Sequence, residues 1–234
     1  MVFASTSHAG RIRKENQDAL GHLKTETGNL FVVCDGVGGL PNGALASKTA
    51  VDSIITGFSA SAENIPQLKI QKAMECGQES VMKANPKPLG TTAVVCFLYE
   101  DTVCAAWCGD SRIYHFRNDK ICWMSLDHNV LHDILNRGTG HRGMFMNPRA
   151  LNRFFGREFE VESDYYSFRV KAGDHVLICS DGLSNFMSEL DIIRTVKNNS
   201  PQVASDMMEE KLLSDEIGAP DNFTWYIIYI EGVM

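Results

Sequence analysis

Hydrophobic positions along the chain follow two periods. In 43–59, Ala46, Ala50, Ile54 and Phe58 recur every four residues, and in 65–84 Ile70, Met74, Gly77 and Val81 alternate steps of four and three. Both spacings line one face of an α-helix. Further helices are expected near 128–137, 188–197 and 201–213, the last opened by Pro201 behind a capping Ser200. Short apolar runs predict strands near 2–7, 18–24, 30–35, 91–99, 102–108, 111–117, 120–125, 163–170, 174–180 and 223–230. Four of these fall consecutively between 91 and 125 with room only for tight turns, which favours antiparallel pairing over βαβ crossovers. The expected class is α+β, mostly antiparallel sheet covered by helix pairs.

Composition narrows the picture. The chain has 234 residues, enough for one well-buried domain and short for two, so 1–234 is expected to be a single domain. A net charge of -7 with no compensating basic stripe argues against a nucleic-acid partner. The first twenty residues carry Arg11, Arg13, Lys14, Glu15 and Asp18 and no apolar core, so no signal peptide is read there. The longest apolar runs, such as AVVCFL at 93–98, fall far short of the roughly 20 residues a bilayer span needs. A soluble, cytoplasmic, monomeric protein without a membrane partner is expected. The seven cysteines sit mostly inside apolar runs and form no C-x-x-C pair, which reads as buried free thiols rather than disulfides or a cysteine-ligated zinc. Segment 138–148 (GTGHRGMFMNP) reads as a mobile surface loop. Its G-x-G-x-x-G match, Gly138, Gly140 and Gly143, follows a helix rather than a strand and is weak evidence for a dinucleotide.

The candidate chemistry lies at the ends of strands. FVVCDGVGG (31–39) runs four apolar residues into Asp35, and three of the next four positions are glycine. Asp110 ends TVCAAWCGD, Asp181 ends HVLICSD before Gly182, Asp18 sits at the edge of a strand in RKENQDAL, and Asp221 precedes FTWYIIYI. Each alone reads as a turn or a cap. Strands of one sheet bring their ends together, however, and converging carboxylates would repel and raise one another's pKa. Arg13 alone cannot offset that charge, so a hard divalent cation, Mg2+ or Mn2+, is the expected partner. Gly36, lacking a Cβ, would let its carbonyl turn toward such an ion.

These stretches resemble the metal-dependent protein serine/threonine phosphatases of type 2C, most closely the small bacterial members. The resemblance is carried by GRIRKENQDA (10–19), FVVCDGVGG with Gly43, Ala46 and Ser47, GTTAVV (90–95), WCGDSRIYHFRN (107–118), LDHNV (126–130), LICSDGLSNFM (177–187) and PDNFTWYIIYI (220–230), in order across about two hundred residues. It implies an αββα sandwich of two antiparallel sheets, each flanked by helices. It implies hydrolysis of phosphoserine and phosphothreonine in proteins by a hydroxide shared between two Mn2+ or Mg2+ ions, with substrates made by a serine/threonine kinase. By position, Asp35 would bridge two metals, Asp181 and Asp221 would ligate one, and the Gly36 carbonyl would bind the other with Asp18 acting through water. Asp110 and Asp181 would border a third, weaker site. Asn222 would orient Asp221, and Arg13 would grip the substrate phosphate.

Three positions depart from the family pattern. Val37 stands where many animal members have histidine, which leaves His8, His128 or water for leaving-group protonation. Asn185 replaces an aspartate that often helps hold the third metal, and Gln17 replaces a glutamate but can still bond metal water. Rival phosphatase chemistries are excluded by the absence of C-x5-R, D-x-D and Gly-Lys pairs. The alternative reading is a catalytically weak family member used as a phosphopeptide-binding or regulatory module.

Overall fold

The computed structural model describes every residue except 85, 87, 138–146, 158–160 and 233–234. The chain runs β1 (Val2–His8), β2 (Asp18–Lys24), β3 (Gly28–Asp35), α1 (Gly43–Ala60), α2 (Pro66–Lys83), β4 (Ala93–Tyr99), β5 (Thr102–Cys108), β6 (Arg112–Arg117) and β7 (Lys120–Met124). It continues through α3 (Val130–Arg137), β8 (Asp164–Arg169), β9 (His175–Cys179), α4 (Asp181–Ser184), α5 (Glu189–Asn198), α6 (Pro201–Leu213) and β10 (Phe223–Tyr229). The strands form two antiparallel five-stranded sheets, ordered β1-β10-β9-β6-β7 and β2-β3-β4-β5-β8.

Alternation within single strands explains how these sheets stack. β3 turns Leu30, Val32 and Cys34 toward α1 and α2, and Phe31 and Val33 toward the other sheet. All five are buried. A central strand covered on both faces reads as an unbroken apolar run even though its pairing is antiparallel, which accounts for FVVC and AVVCFL. Three apolar layers result. α1 and α2 bury Ile54, Phe58 and Met74 over the second sheet, the sheets meet through Val94, Ile178 and Tyr226, and α5 and α6 bury Ile192, Met208 and Leu212 over the first. This is the αββα sandwich. Ser200 caps α6 by accepting from the Val203 N–H, with Pro201 in the first turn as the sequence predicts.

The seven cysteines are free, and five of them are buried. Among the described residues no helix is long and apolar enough to cross a membrane. The G-x-G-x-x-G match at Gly138, Gly140 and Gly143 and most of the expected 138–148 loop lie outside the described residues. The short α4 was not expected, since four residues are too few to show a helical period.

Antiparallel registry decides where function can sit. Asp18 opens β2 directly opposite Asp35, which closes β3. β5 and β9 also end at this edge, and β4, β6 and β10 begin there. Asp110, Asp181 and Asp221 therefore arrive at the same end of the sandwich. Gly182 lets β9 and β10 close up at this end, because a Cβ there would lie 1.8 Å from the Asn222 carbonyl oxygen. Gly182→Ala should cost about 2–4 kcal/mol by forcing that backbone apart, whereas Gly38→Ala should stay within about 0.5 kcal/mol. Apart from Gly38 itself and its two chain neighbours, no described residue comes within 4 Å of the position a Cβ would take there. Urea denaturation of both variants checks this, and equal costs would contradict it.

Candidate metal centre and active site

A cleft of about 370 Å³ opens at this end, lined by Asp35, Gly36, Asp110, Asp181 and Asp221 on its floor and by Arg13, Gln17, Arg149 and Phe154 among its walls. Asp18 lies just behind, buried against Asp35. Main-chain bonds fix Asp35 firmly. Its N–H donates to Thr92 Oγ1 at 3.0 Å, and its carbonyl accepts from the Thr92 N–H at 2.8 Å and from Thr91 Oγ1 at 2.9 Å. Asp181 begins α4, where Asn185 Nδ2 donates to its Oδ2 at 2.9 Å. Asp221 Oδ2 accepts from Arg13 Nη2 at 2.9 Å. Gly36 is required because α1 begins against it: a Cβ would meet the Gly43 backbone at 2.6 Å. Its φ is ordinary, so close approach rather than backbone conformation selects glycine there.

The carboxylates perturb one another. Burial pushes the Asp35 carboxyl well above the usual range, and the charges of Asp18, Asp181 and Asp110 push it further. Asp18 is raised to about 6, chiefly by burial, against the opposing hydrogen bond from Ser180. Asp110 is raised to about 7 by burial and then by Asp181 and Asp127. Asp181 is raised by burial and by Asp221. Asp35 stands within hydrogen-bonding reach of both Asp18 and Asp181. Such a trio is tolerable only around a shared proton or a cation.

The donor set fits the second. Asp18 Oδ1 is buried without a hydrogen-bond partner, and carboxylate and main-chain oxygens are hard ligands suited to Mn2+ or Mg2+. Among the described residues no three His, Cys, Asp or Glu side chains make a ready-made metal cage. The donors are instead spread round the cleft, an arrangement suited to ions that keep part of their water.

Asn222 meets Asp221 through the main chain, its N–H donating to Asp221 Oδ1 at 2.9 Å. Its side chain accepts from the Gln17 N–H at 2.9 Å and donates to the Ala9 and Glu15 carbonyls at 2.8 and 2.9 Å. It thus folds the 9–17 loop that carries Arg13. Neither histidine candidate lines the cleft. His8 stacks on Phe223 and accepts from the Gly10 N–H, and His128 accepts from the Gly109 N–H. Sequence reasoning missed Ser180, which donates to Asp18 Oδ2 at 2.7 Å, and the wall residues Arg149 and Phe154. The GTT run at 90–92 was visible, but its grip on Asp35 depends on cross-strand neighbours that a linear pattern does not show.

The chain matches the family model "Protein phosphatase 2C" over residues 6–214. It is 30% identical over 233 residues to the "Serine/threonine phosphatase stp" of Listeria innocua, covering 94% of this chain and 92% of that protein. Its structure resembles that of the PPM Ser-Thr phosphatase MsPP from Mycobacterium smegmatis, solved with cacodylate, with a TM-score of 0.81, 27% identity and 98% of each chain covered. A PstP catalytic domain solved with two manganese ions shares the fold, with a TM-score of 0.79 at 22% identity, covering 97% of this chain and 96% of that one.

In chelator the protein should grow more stable as pH falls from about 8 to about 4.5. Folded carboxyls raised to about 6 and about 7 hold protons that the same groups, at their ordinary 3.8, release when unfolded. The folded state therefore binds more protons in this window, and stability is lost as pH rises through it. Saturating Mn2+ should remove the dependence. Melting temperatures measured across that range in EDTA and in Mn2+ test the point, and a flat chelated profile would refute it.

Proposed function

The chain belongs to the protein phosphatase 2C family, and we propose that its activity resides in the carboxylate cleft at the strand ends. It is a metal-dependent protein serine/threonine phosphatase that acts on phosphoproteins and uses Mn2+ or Mg2+. The observation that supports this location is the convergence of Asp18, Asp35, Asp110, Asp181 and Asp221, with one guanidinium in direct contact with them. Nothing favours the alternative of a non-catalytic phosphopeptide module.

Asp35 would hold both ions, Asp181 and Asp221 one of them, and the Gly36 carbonyl the other, with Asp18 behind. Asp110 and Asp181 would border a weaker third position. When bound, the ions acidify water and neutralise charge on the phosphoryl group. Arg13 reaches the cleft from the 9–17 loop, and its planar guanidinium suits two phosphoryl oxygens at once. Gln17 and Asn222 keep that loop in place. Val37 lies on the cleft wall and no histidine is among its described lining residues, so water or another group would protonate the leaving oxygen. Residues 1–234 act as one catalytic domain, in the cytoplasm, on proteins phosphorylated by a serine/threonine kinase. The three apolar layers and the free thiols support this reading.

Asp35→Asn and Asp181→Asn should each lower kcat by about a hundredfold or more and weaken Mn2+ binding in calorimetry. Arg13→Ala should instead raise KM for a phosphopeptide by about tenfold with kcat within about twofold. Wild-type turnover in either aspartate variant, or an unchanged KM without Arg13, would remove that residue from its role.

A further inference from the structure

His128 lies outside the cleft, yet it holds the turn that delivers Asp110. Its Nδ1 accepts from the Gly109 N–H at 3.2 Å, and its own N–H donates to the Gly109 carbonyl at 2.9 Å. One residue thus takes both main-chain polar groups of Gly109. Gly109 has a φ of +116°, and a Cβ there would meet Thr92 Cβ at 2.6 Å, so Thr92 closes the turn from the other side. Thr92 Oγ1 also bonds Ser111 Oγ at 2.7 Å. Asp110 therefore sits between two pinned neighbours.

The other end of His128 is tied to the opposite wall of the cleft. Its carbonyl accepts from the Asn152 N–H at 3.0 Å. Its ring is buried and stacks on Trp107, with centroids 6.2 Å apart and planes 21° apart. Trp107 Nε1 donates to the Leu126 carbonyl at 2.9 Å, which anchors the segment leading into His128. Because Nδ1 accepts, the ring proton sits on Nε2, which lies 3.3 Å from Asp164 Oδ2 but makes no hydrogen bond among the described residues. Asp164 Oδ1 in turn accepts from Arg153 Nη1 at 2.8 Å. Asn152 and Arg153 belong to the segment whose Arg149, Leu151 and Phe154 line the cleft.

We propose that His128 is a positioning residue that fixes the Gly109–Asp110 turn and fastens it to the 147–157 wall of the cleft. Movement of that wall, which faces the incoming substrate, is then transmitted to Asp110 through this one residue, its carbonyl held by Asn152 and its ring by Gly109. The inference rests on the phosphatase reading only where activity is measured.

His128→Leu keeps the bulk and removes the acceptor, whereas His128→Asn restores an oxygen near the Nδ1 position. Amide exchange at Gly109, read by NMR in the Mg2+-loaded protein, should quicken by about tenfold or more in the leucine variant and return to within about threefold of wild type in the asparagine variant. On a small phosphomonoester with Mn2+, the leucine variant should lose about tenfold in kcat with KM within about twofold, and asparagine should restore it. Unchanged Gly109 exchange in the leucine variant overturns the proposal, as does equal behaviour of the two variants. Should the leucine variant not fold, the asparagine variant decides: near-wild-type exchange and kcat support the role, and loss of either overturns it. A wild-type protein without phosphatase activity would sink the functional reading, while the exchange measurement would still test the geometry.

Discussion

Five carboxylates are forced to one end of a β-sandwich, and their mutual repulsion is the constraint the rest of the structure must overcome. Antiparallel registry alone sets Asp18 opposite Asp35 and carries Asp110, Asp181 and Asp221 to the same edge. The force that keeps them there comes from elsewhere. Both faces of β3 and β4 are buried, and removing apolar surface from water stabilises at roughly 25 cal/mol per Å². A core of that kind is stiff, so the strand ends cannot drift apart to relieve their charges. The site is strained electrostatically because the core is not strained sterically.

Hydrogen bonds then convert this crowding into a fixed geometry, and several of them cross from one sheet to the other. Ser180, next to β9, donates to Asp18 on β2 and accepts from the Thr224 N–H on β10. Asn222, also beside β10, holds the Gln17 N–H at the entrance to β2. These links lock the two sheets together at the end where the acids gather, and they bring Arg13 over the cleft. A neutral side chain is suited to this task, since another charge would alter the balance it is meant to hold. The same logic explains Thr92, which bonds Asp35 on one side and Ser111 on the other without adding charge.

The sequence displays most of this fold because its central strands are apolar on both faces and its first two helices repeat at three and four. Ala46, Ala50, Ile54 and Phe58 predict the buried face of α1, and each is buried. The acids at strand ends were legible for a related reason: an apolar run broken by aspartate stands out in a linear reading. Ser180 and Asn222 were harder to place, because their roles depend on partners far away in the chain, 162 residues in the case of Ser180 and Asp18. The fourth helix is too short for periodicity, and Gly182 within it is selected by the Asn222 carbonyl rather than by helix propensity. His128 could be read as an acid candidate from its position, but only the fold reveals that both its hydrogen bonds to Gly109 leave it turned away from the cleft.

A buried carboxylate at the far end of the sandwich shows what the cleft lacks. Asp174 is only 1% exposed, yet its Oδ1 and Oδ2 accept from Arg117 at 2.8 and 2.6 Å, and Oδ2 also faces His115 Nε2 at 3.0 Å. Burial alone would raise its pKa, but the bonds from Arg117 and His115 outweigh that and hold it below the usual range. The chain therefore supplies a buried acid with its own cation where the purpose is structural. At the cleft it does the reverse. Arg13 reaches Asp221, Arg112 is held in a two-pronged pair with Asp127, and Asn185 gives Asp181 a hydrogen bond but no charge. Among the described residues no cationic side chain is bonded to Asp18 or Asp35, and burial and neighbouring acids raise both. A fold able to neutralise a buried aspartate with arginine, and that pairs neither of these two with one among the described residues, holds its acids in readiness for a charge that arrives from solution.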